Sequence, residues 1–248
     1  MIKKVRRFFS GIKSKVDPRL LADFRKLGEL EKASHKRFLL EEKDFFPCMD
    51  DDTPSTGFDR HYVYHPAWAA RILAQTVPNK HVDISSTLHF CSILSAFIPV
   101  DFYDYRPANL SLTGLNSSSA DLLSLPFPDR SVESLSCMHT VEHVGLGRYG
   151  DPLDYDGDIK AIGELKRVLA VNGHLLFVVP IGRENRIFFN AHRVYTKQHV
   201  LELFSDLVLK DFSLIPEDEA DGGLVSDPSG SLLDRQVYGC GCFYFTKA

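Results

Sequence analysis

The stretch Ala120–Val144, ADLLSLPFPDRSVESLSCMHTVEHV, decides the fold of this chain. Its apolar second half predicts a buried strand that ends close to Thr140. His139, Glu142 and His143 stand at the end of that strand. In an open α/β sheet ligands bind beyond the carboxyl ends of the strands. We therefore expect these three side chains to face a ligand cavity rather than the core.

Strands and helices alternate on both sides of this stretch. The apolar segment His81–Ser85 precedes a helix over Leu88–Phe97 and a strand over Val100–Tyr105, and a helix over Asp156–Ala170 leads into the strand His174–Gly182. This alternation predicts an α/β fold whose parallel sheet is covered by helices on both faces. The final strands, in LVLKDFSLIP and YGCGCFYFTKA, have no helix between them, which predicts an antiparallel strand at the end of the sheet.

The N-terminal quarter of the chain differs from the rest. Residues 1–61 predict a charged helical extension with a break at Pro18, and residues 62–248 predict the α/β domain. The first fifteen residues, 1–15, place lysines and arginines around three large apolar side chains. This composition predicts either weak contact with an anionic membrane surface or a solvated helix packed on protein.

Composition excludes several classes of protein. The net charge of −4 argues against nucleic acid as a partner, because binding a phosphate backbone needs a basic excess. The five cysteines are odd in number and scattered, so neither a disulfide framework nor a zinc ribbon is predicted. No apolar run suits a signal peptide or a membrane span. We expect a cytoplasmic protein.

Two segments resemble one known family. Ala120–Val144 is similar to its D-x-x-x-L-P-F-x-D-x-S-F-D segment followed by a strand and x-x-E-H, and Glu164–Pro180, ELKRVLAVNGHLLFVVP, is similar to its E-x-x-R-V-L-x-P-G-G-x-L-x-x-x-x-P. The family is the class I S-adenosylmethionine (SAM)-dependent methyltransferases, type 11-like, which the chain resembles over about residues 62–248. The section EHVGLGRYGDPLDYDGD suggests an uncharacterised branch.

The resemblance implies a fold, a cofactor and an activity. The fold is a doubly wound, mostly parallel, seven-stranded sheet with an antiparallel last strand. The cofactor is SAM, and the activity is methyl transfer to a small polar acceptor such as a sugar or another hydroxylated metabolite.

The segment HVDISSTLHF, residues 81–90, departs from the family pattern D-x-G-x-G-x-G. It keeps Asp83, but Ser85, Thr87 and His89 occupy the three glycine positions. Glycine tolerates positive φ and lets the backbone approach a ligand, whereas a β-branched residue such as Thr87 is stiff. The sequence therefore predicts a wider loop or a displaced cofactor. The alternative is a catalytically inactive methyltransferase-fold protein that binds a partner or acts as a scaffold.

Acidic residues at strand ends are the predicted cofactor ligands. A carboxylate after the second strand can accept both ribose hydroxyls, which indicates Asp104, or Asp101 if the strand is registered differently. The resemblance implies that Asp121 accepts from the adenine amino group and that the Leu122 N–H lies near a ring nitrogen. Asp104 as a turn former and Asp121 as a helix cap are the competing interpretations. The residues predicted to contact SAM are Asp83, Ser85, Ser86, Thr87, Asp104, Asp121, Leu122 and His139.

The residues after the central strand are the predicted catalytic groups. A histidine with a near-neutral pKa suits removal of a proton from an alcohol acceptor, so we expect His143 to be the base. Glu142 would orient His143 or accept a bond from a substrate hydroxyl. The competing interpretation is that the histidines only bond backbone carbonyls. Residues predicted to bind substrate, with surface solvation as the alternative for the arginines, are Arg148, Tyr149, His192, Arg193 and Tyr195.

A metal site is a weaker alternative. His139 and His143 have the i, i+4 spacing of two ligands on one helical face, and acidic residues follow. However, HTVEH is not the H-E-x-x-H of metalloproteases, and PLDYDGD does not match a calcium loop. We expect Asp156 or Asp158 to cap the next helix, and no metal ligand is predicted.

Overall fold

The computed structural model describes residues 17–34 and 37–248. Its packing divides the chain into two compact units, residues 1–57 and 58–248. The second unit therefore begins four residues before the domain boundary expected from the sequence. The basic segment 1–15, with the membrane contact predicted for it, lies outside the described residues.

The described part of the first unit contains one α-helix, α1 (Pro18–Lys32). The sequence predicted that Pro18 breaks a helix, but α1 begins there. A proline suits the first helical position, where its missing N–H has no partner within the helix. Asp17 caps α1 by accepting from the backbone N–H of Arg19 at 2.8 Å. Phe24 of α1 packs edge-on against the ring of Phe45.

The second unit is built on one large sheet. Its strands, in the order in which they lie side by side, are β3 (Leu115–Ser119), β2 (Val100–Asp104), β1 (His81–Ile84), β4 (Val132–Met138), β5 (Leu169–Ile181), β10 (Gly239–Thr246), β8 (Val208–Ile215) and β9 (Val225–Ser226). A separate hairpin consists of β6 (Arg186–Phe188) and β7 (His192–Val194).

The predicted sheet architecture is confirmed, with one correction. The first five strands are mutually parallel, and β10 pairs antiparallel with both β5 and β8. The large sheet has eight strands instead of seven. The additional strand, β9, is only two residues long and lies in a polar loop, so it has no apolar run that a sequence pattern would reveal.

Helices cover both faces of the sheet. They are α2 (Arg60–Thr76), α3 (Leu88–Leu94), α4 (Gly157–Val168), α5 (Lys197–Leu203) and the short α6 (Gly230–Asp234), with 3-10 turns at Val141–His143 and Glu219–Asp221. Helix α2 begins at Arg60, where Asp59 caps it by accepting from the Tyr62 N–H. No helix in the described ranges is long and apolar enough to cross a bilayer.

Two apolar cores follow from this layering. Neighbouring residues of β5 point to opposite faces, so Phe177 joins the core beneath α4 and α5 while Val178 joins the core beneath α2 and α3. Because both faces of the sheet are buried, a ligand can reach the sheet only at the strand ends. The connections from β1 and β4 diverge to opposite faces through α3 and α4, and a cleft opens between them.

Candidate functional site

A cavity of about 560 Å³ opens at the carboxyl ends of β1 to β4. This volume suits a ligand of cofactor size. The residues that line it form two walls. The first wall, called the cofactor wall after its predicted role, comes from the ends of β1, β2 and β3 and includes Ser85, Ser86, Asp104, Tyr105, Arg106, Asp121 and Leu122. The second wall, called the acceptor wall after its predicted role, comes from α2, the segment after β4, the hairpin and the residue before β10, and includes Tyr62, His139, Glu142, His143, Arg148, Tyr149, His192 and Tyr238.

The loop after β1 forms a tight turn without glycine. Ser85 adopts a left-handed conformation with φ of 55°, and both its N–H and its hydroxyl donate to the carbonyl of Tyr103. Thr87 has φ of −106° and caps α3 by accepting from the Phe90 N–H. Only the first of the three glycine positions therefore needs positive φ. Thr87 does not line the cavity, contrary to the prediction, because its hydroxyl is used as the cap.

Asp83 supports this loop from below. Its side chain is fully buried and does not reach the cavity, which corrects its predicted direct contact with the cofactor. It accepts from the backbone N–H of Ser86 at 3.0 Å and from the hydroxyl of Ser136. His81 continues this buried chain by bonding the hydroxyls of Ser134 and Ser136, each at 2.8 Å. Burial raises the pKa of Asp83 and lowers the pKa of His81 to about 3.

Asp104 and Asp121 both line the cavity. Asp104 ends β2 and accepts from the Arg106 N–H at 2.7 Å, so it forms a turn and faces the ligand space at once. Asp121 accepts from the Leu123 N–H at 2.8 Å within a turn and caps no helix. Asp101, the alternative to Asp104, lies outside the cavity and bonds Asn116 at 2.9 Å. The register of β2 therefore brings Asp104, and not Asp101, to the cavity.

His139 lies at the junction of the two walls, directly after β4. It has a left-handed backbone with φ of 57° and a side chain that is almost completely buried. Its Nδ1 lies 2.8 Å from Glu142 Oε1, and its Nε2 lies 3.3 Å from the sulfur of Cys240. Non-glycine residues in this conformation cost energy and are concentrated at functional sites. Ser85 and His139 place two of them beside one cavity.

His143 has one ring nitrogen committed to the backbone. Its Nδ1 lies 2.6 Å from the Ala191 carbonyl, which can only accept, so Nδ1 carries a proton and Nε2 has the lone pair in the neutral ring. Arg148 donates to the same carbonyl at 3.0 Å. Glu142 Oε1 is 3.8 Å from His143 Nε2, too far for a hydrogen bond. The predicted orienting role of Glu142 is therefore wrong for His143, which the Ala191 carbonyl orients.

Two residues predicted to bind substrate lie outside the cavity. Arg193 is buried and donates to the carbonyls of Val144, Asp154 and Tyr155, with an ion pair to Asp158 at 3.5 Å. The Tyr195 hydroxyl donates to Asp158 Oδ2 at 2.9 Å. Asp158 thus serves these two side chains rather than capping α4.

The other predicted cap and the other substrate residues are placed differently. Asp156 occupies the N-terminal cap position of α4, but its side chain makes no capping hydrogen bond there. The remaining three substrate residues, Arg148, Tyr149 and His192, do line the cavity.

Two tyrosines of the acceptor wall were not predicted. Tyr62 lies in the first turn of α2, and Tyr238 immediately precedes β10. Burial raises the pKa of Tyr62 to about 12 and also raises the pKa of Tyr238. Neither residue belongs to a motif, because each reaches the cavity only through the packing of its element on the sheet.

Comparisons with known proteins address the family and the fold. A family model described as "Caenorhabditis protein of unknown function, DUF268" matches residues 129–215. No curated protein sequence gives a significant match.

Solved structures of methyltransferases are similar to this chain. One is the 1,6-didemethyltoxoflavin-N1-methyltransferase of Burkholderia thailandensis with bound S-adenosylhomocysteine, at 11% identity and a TM-score of 0.55, covering 75% of this chain and 79% of that one. Another is the N-methyltransferase NodS of Bradyrhizobium japonicum in complex with S-adenosylhomocysteine, at 13% identity and a TM-score of 0.51, covering 79% and 89%. Similarity at this identity establishes the fold, and the predicted class I methyltransferase fold is confirmed.

Proposed function

We propose that this chain, which has the fold of the class I SAM-dependent methyltransferases, methylates a hydroxyl group of a small polar acceptor with SAM as the methyl donor. The observation that carries the proposal is the joining of two walls in one cavity. One wall presents carboxylates at the ends of parallel strands, and the other presents His143 with its Nδ1 bonded to a carbonyl, so that Nε2 is the basic nitrogen of the neutral ring.

The cofactor wall fits SAM. Asp104 offers carboxylate oxygens for the ribose hydroxyls, and Asp121 with the Leu122 N–H offers an acceptor and a donor for adenine. Ser85 reproduces the positive φ for which the family uses glycine, and its hydroxyl bonds the Tyr103 carbonyl instead of filling the loop. The missing glycines therefore do not argue against binding. When bound, SAM supplies an electrophilic methyl group.

The acceptor wall provides a base and a carboxylate oxygen that can accept a hydrogen bond. The Ala191 carbonyl keeps the proton of neutral His143 on Nδ1, so Nε2 is free to take a proton from an acceptor hydroxyl. Glu142 Oε2 is buried and has no hydrogen-bond partner among the described residues, although Glu142 lines the cavity. A buried hydrogen-bond acceptor without a partner favours a ligand that brings a hydrogen-bond donor. A hydroxylated ligand meets both requirements.

Arg148, Tyr149 and His192 form the outer part of the acceptor wall. The guanidinium groups of Arg106 and Arg148 lie over Tyr149, with their carbons 4.7 and 5.2 Å from the ring centre. Burial lowers the pKa of His192, which favours its neutral form. A carboxylate or phosphate on the acceptor would pair with Arg148 at the mouth of the cavity.

Isothermal titration with S-adenosylhomocysteine tests the proposal. We expect saturable binding by the wild-type chain, a loss of about 10- to 100-fold in affinity for Asp104→Asn, and little change for Asp101→Asn, which lies outside the cavity. No detectable heat from the wild type at high micromolar ligand would overturn the proposal. That result would support instead a methyltransferase-fold protein without catalysis.

A cytoplasmic location is a further part of the proposal. It rests on the cysteines, all five of which are free thiols, with four of them buried. Oxidation state measured in intact cells, by alkylation before lysis, would test it.

A further inference from the structure

We propose that His61, His139 and Cys240 form a binding site for a divalent cation of borderline softness, Zn²⁺, behind the acceptor wall. His61 lies in the first turn of α2, His139 follows β4, and Cys240 lies on β10. His61 and Cys240 do not line the cavity and take no part in the proposed methyl transfer. The third ligand, His139, and its partner Glu142 do line the cavity, so the metal site adjoins the proposed methyl-transfer site without including its base, His143.

The three side chains converge closely enough to share one ion. One ligand atom from each lies within 4.8 Å of the others, and His139 Nε2 is 3.3 Å from Cys240 Sγ. Two ligand atoms of a tetrahedral zinc ion lie about 3.5 Å apart, given bonds of about 2.0 to 2.3 Å. The pair His139 and Cys240 already has this spacing. The rings of His61 and His139 are stacked with an interplanar angle of 12°. His61 therefore has to rotate out of this stack, and to approach by up to about 1.3 Å, before one of its nitrogens can bind the same ion.

Glu142 fixes the ring of His139 in the form that a metal requires. Its Oε1 lies 2.8 Å from His139 Nδ1, so in the neutral ring Nδ1 carries the proton and Nε2 has its lone pair directed at Cys240. Histidines that bind zinc almost always donate their other ring N–H to a carboxylate or carbonyl. Glu142 meets this condition for His139. Chance packing of two histidines and a cysteine would not need such a carboxylate partner.

A buried histidine beside the three residues has a hydrogen-bond acceptor without a donor. His65 packs edge-on against His139, with ring centres 5.1 Å apart. Its Nδ1 lies 2.7 Å from the His61 carbonyl and must donate, so its Nε2 is an acceptor. That atom is buried without a hydrogen-bond partner in the described ranges. A buried acceptor without a donor is costly, and a nearby cation lowers that cost.

The donor set selects the kind of ion. Two imidazoles and a thiolate are ligands for zinc and related ions, whereas magnesium and calcium require oxygen ligands. Three protein ligands leave a fourth position of a tetrahedral ion open. The sequence could not indicate the site, because its ligands come from three distant segments; His139 and Cys240 alone are 101 residues apart.

Cobalt substitution tests the site in the untagged full-length chain after treatment with a chelator. We expect about one equivalent of Co²⁺ to produce a thiolate-to-cobalt charge-transfer band that Zn²⁺ abolishes by displacement. The band should be lost in Cys240→Ser and retained in Cys91→Ser, a matched control because Cys91 is equally buried but lies on α3.

A second variant guards against misfolding of Cys240→Ser. His61 is only partly buried, so His61→Gln should keep the wild-type circular dichroism spectrum while its affinity for Co²⁺ falls about tenfold or more. Absence of the band in the wild type, or an unchanged band in both site variants, would overturn the proposal. Because no SAM or homologue is added, failure of this test and failure of the proposed methyltransferase activity are separate results.

Discussion

Replacing His81 should flatten the dependence of stability on pH. His81 is buried beneath the cofactor loop, where burial lowers its pKa to about 3 from an ordinary value of 6.5. The unfolded chain therefore binds a proton on His81 at a pH where the folded chain does not. The stability that depends on neutral His81 is complete above pH 6.5 and is lost progressively as the pH falls towards 3.

The two pKa values set the size of the effect. Between pH 7 and pH 5, selective protonation of the unfolded state lowers the free energy of unfolding by about 2 kcal/mol. Glutamine cannot titrate, so His81→Gln should lose about 2 kcal/mol less than the wild type over this interval. The other histidines whose pKa burial lowers, among them His61 and His65, are present in both proteins, and their effects cancel in the comparison.

Urea unfolding at several pH values between 7.5 and 4.5, followed by circular dichroism, measures this difference. The slope against pH is the readout, because the lost bonds to Ser134 and Ser136 lower the stability of His81→Gln at every pH. The control is His89→Gln, since His89 is exposed on α3 and should give a slope like that of the wild type. Parallel curves for wild type and His81→Gln would refute the reasoning.

Three further predictions concern the site. In an assay of S-adenosylhomocysteine release with an acceptor that is turned over, His143→Gln should lower kcat about 10²- to 10⁴-fold while titration shows unchanged binding of S-adenosylhomocysteine; an unchanged kcat would exclude His143 as the base. Arg193→Met should lower the free energy of unfolding by about 3 to 5 kcal/mol, because it leaves Asp158 and three carbonyls without their cation, and a loss below 1 kcal/mol would contradict this role. Tyr195→Phe should cost only about 1 kcal/mol by the same denaturation measurement, and a larger loss would mean that its ring packing depends on the hydroxyl.

The fold was accessible from the sequence because its signals are local. Apolar runs, the alternation of strands with helices and the missing helix before β10 each appear within a few residues and jointly specify the sheet. Asp104, Asp121 and His139 reach the cavity because strand ends in a parallel sheet share one edge. Topology alone decides where such residues go.

The errors concern side chains whose direction is decided by distant contacts. Arg193 and Tyr195 were predicted to bind substrate, but carbonyls of the 144–155 segment and Asp158 hold them inside. Thr87 was predicted to contact the cofactor, but its hydroxyl caps α3 instead. A pattern gives the position of a residue along an element, whereas its partner on another element determines which way the side chain points.

The hydrogen bonds of Arg193 affect how the proposed acceptor specificity could be changed. Arg193 joins the hairpin to the segment after β4, and His143 with Arg148 joins that segment back to the Ala191 carbonyl. The two segments are thus joined by hydrogen bonds into one piece of the acceptor wall, although more than thirty residues of sequence separate the bonded partners. A chimera that exchanges only one of them with a homologous protein would leave the buried guanidinium of Arg193 without its partners. Exchanging both together would transfer the recognition surface and leave the cofactor wall intact.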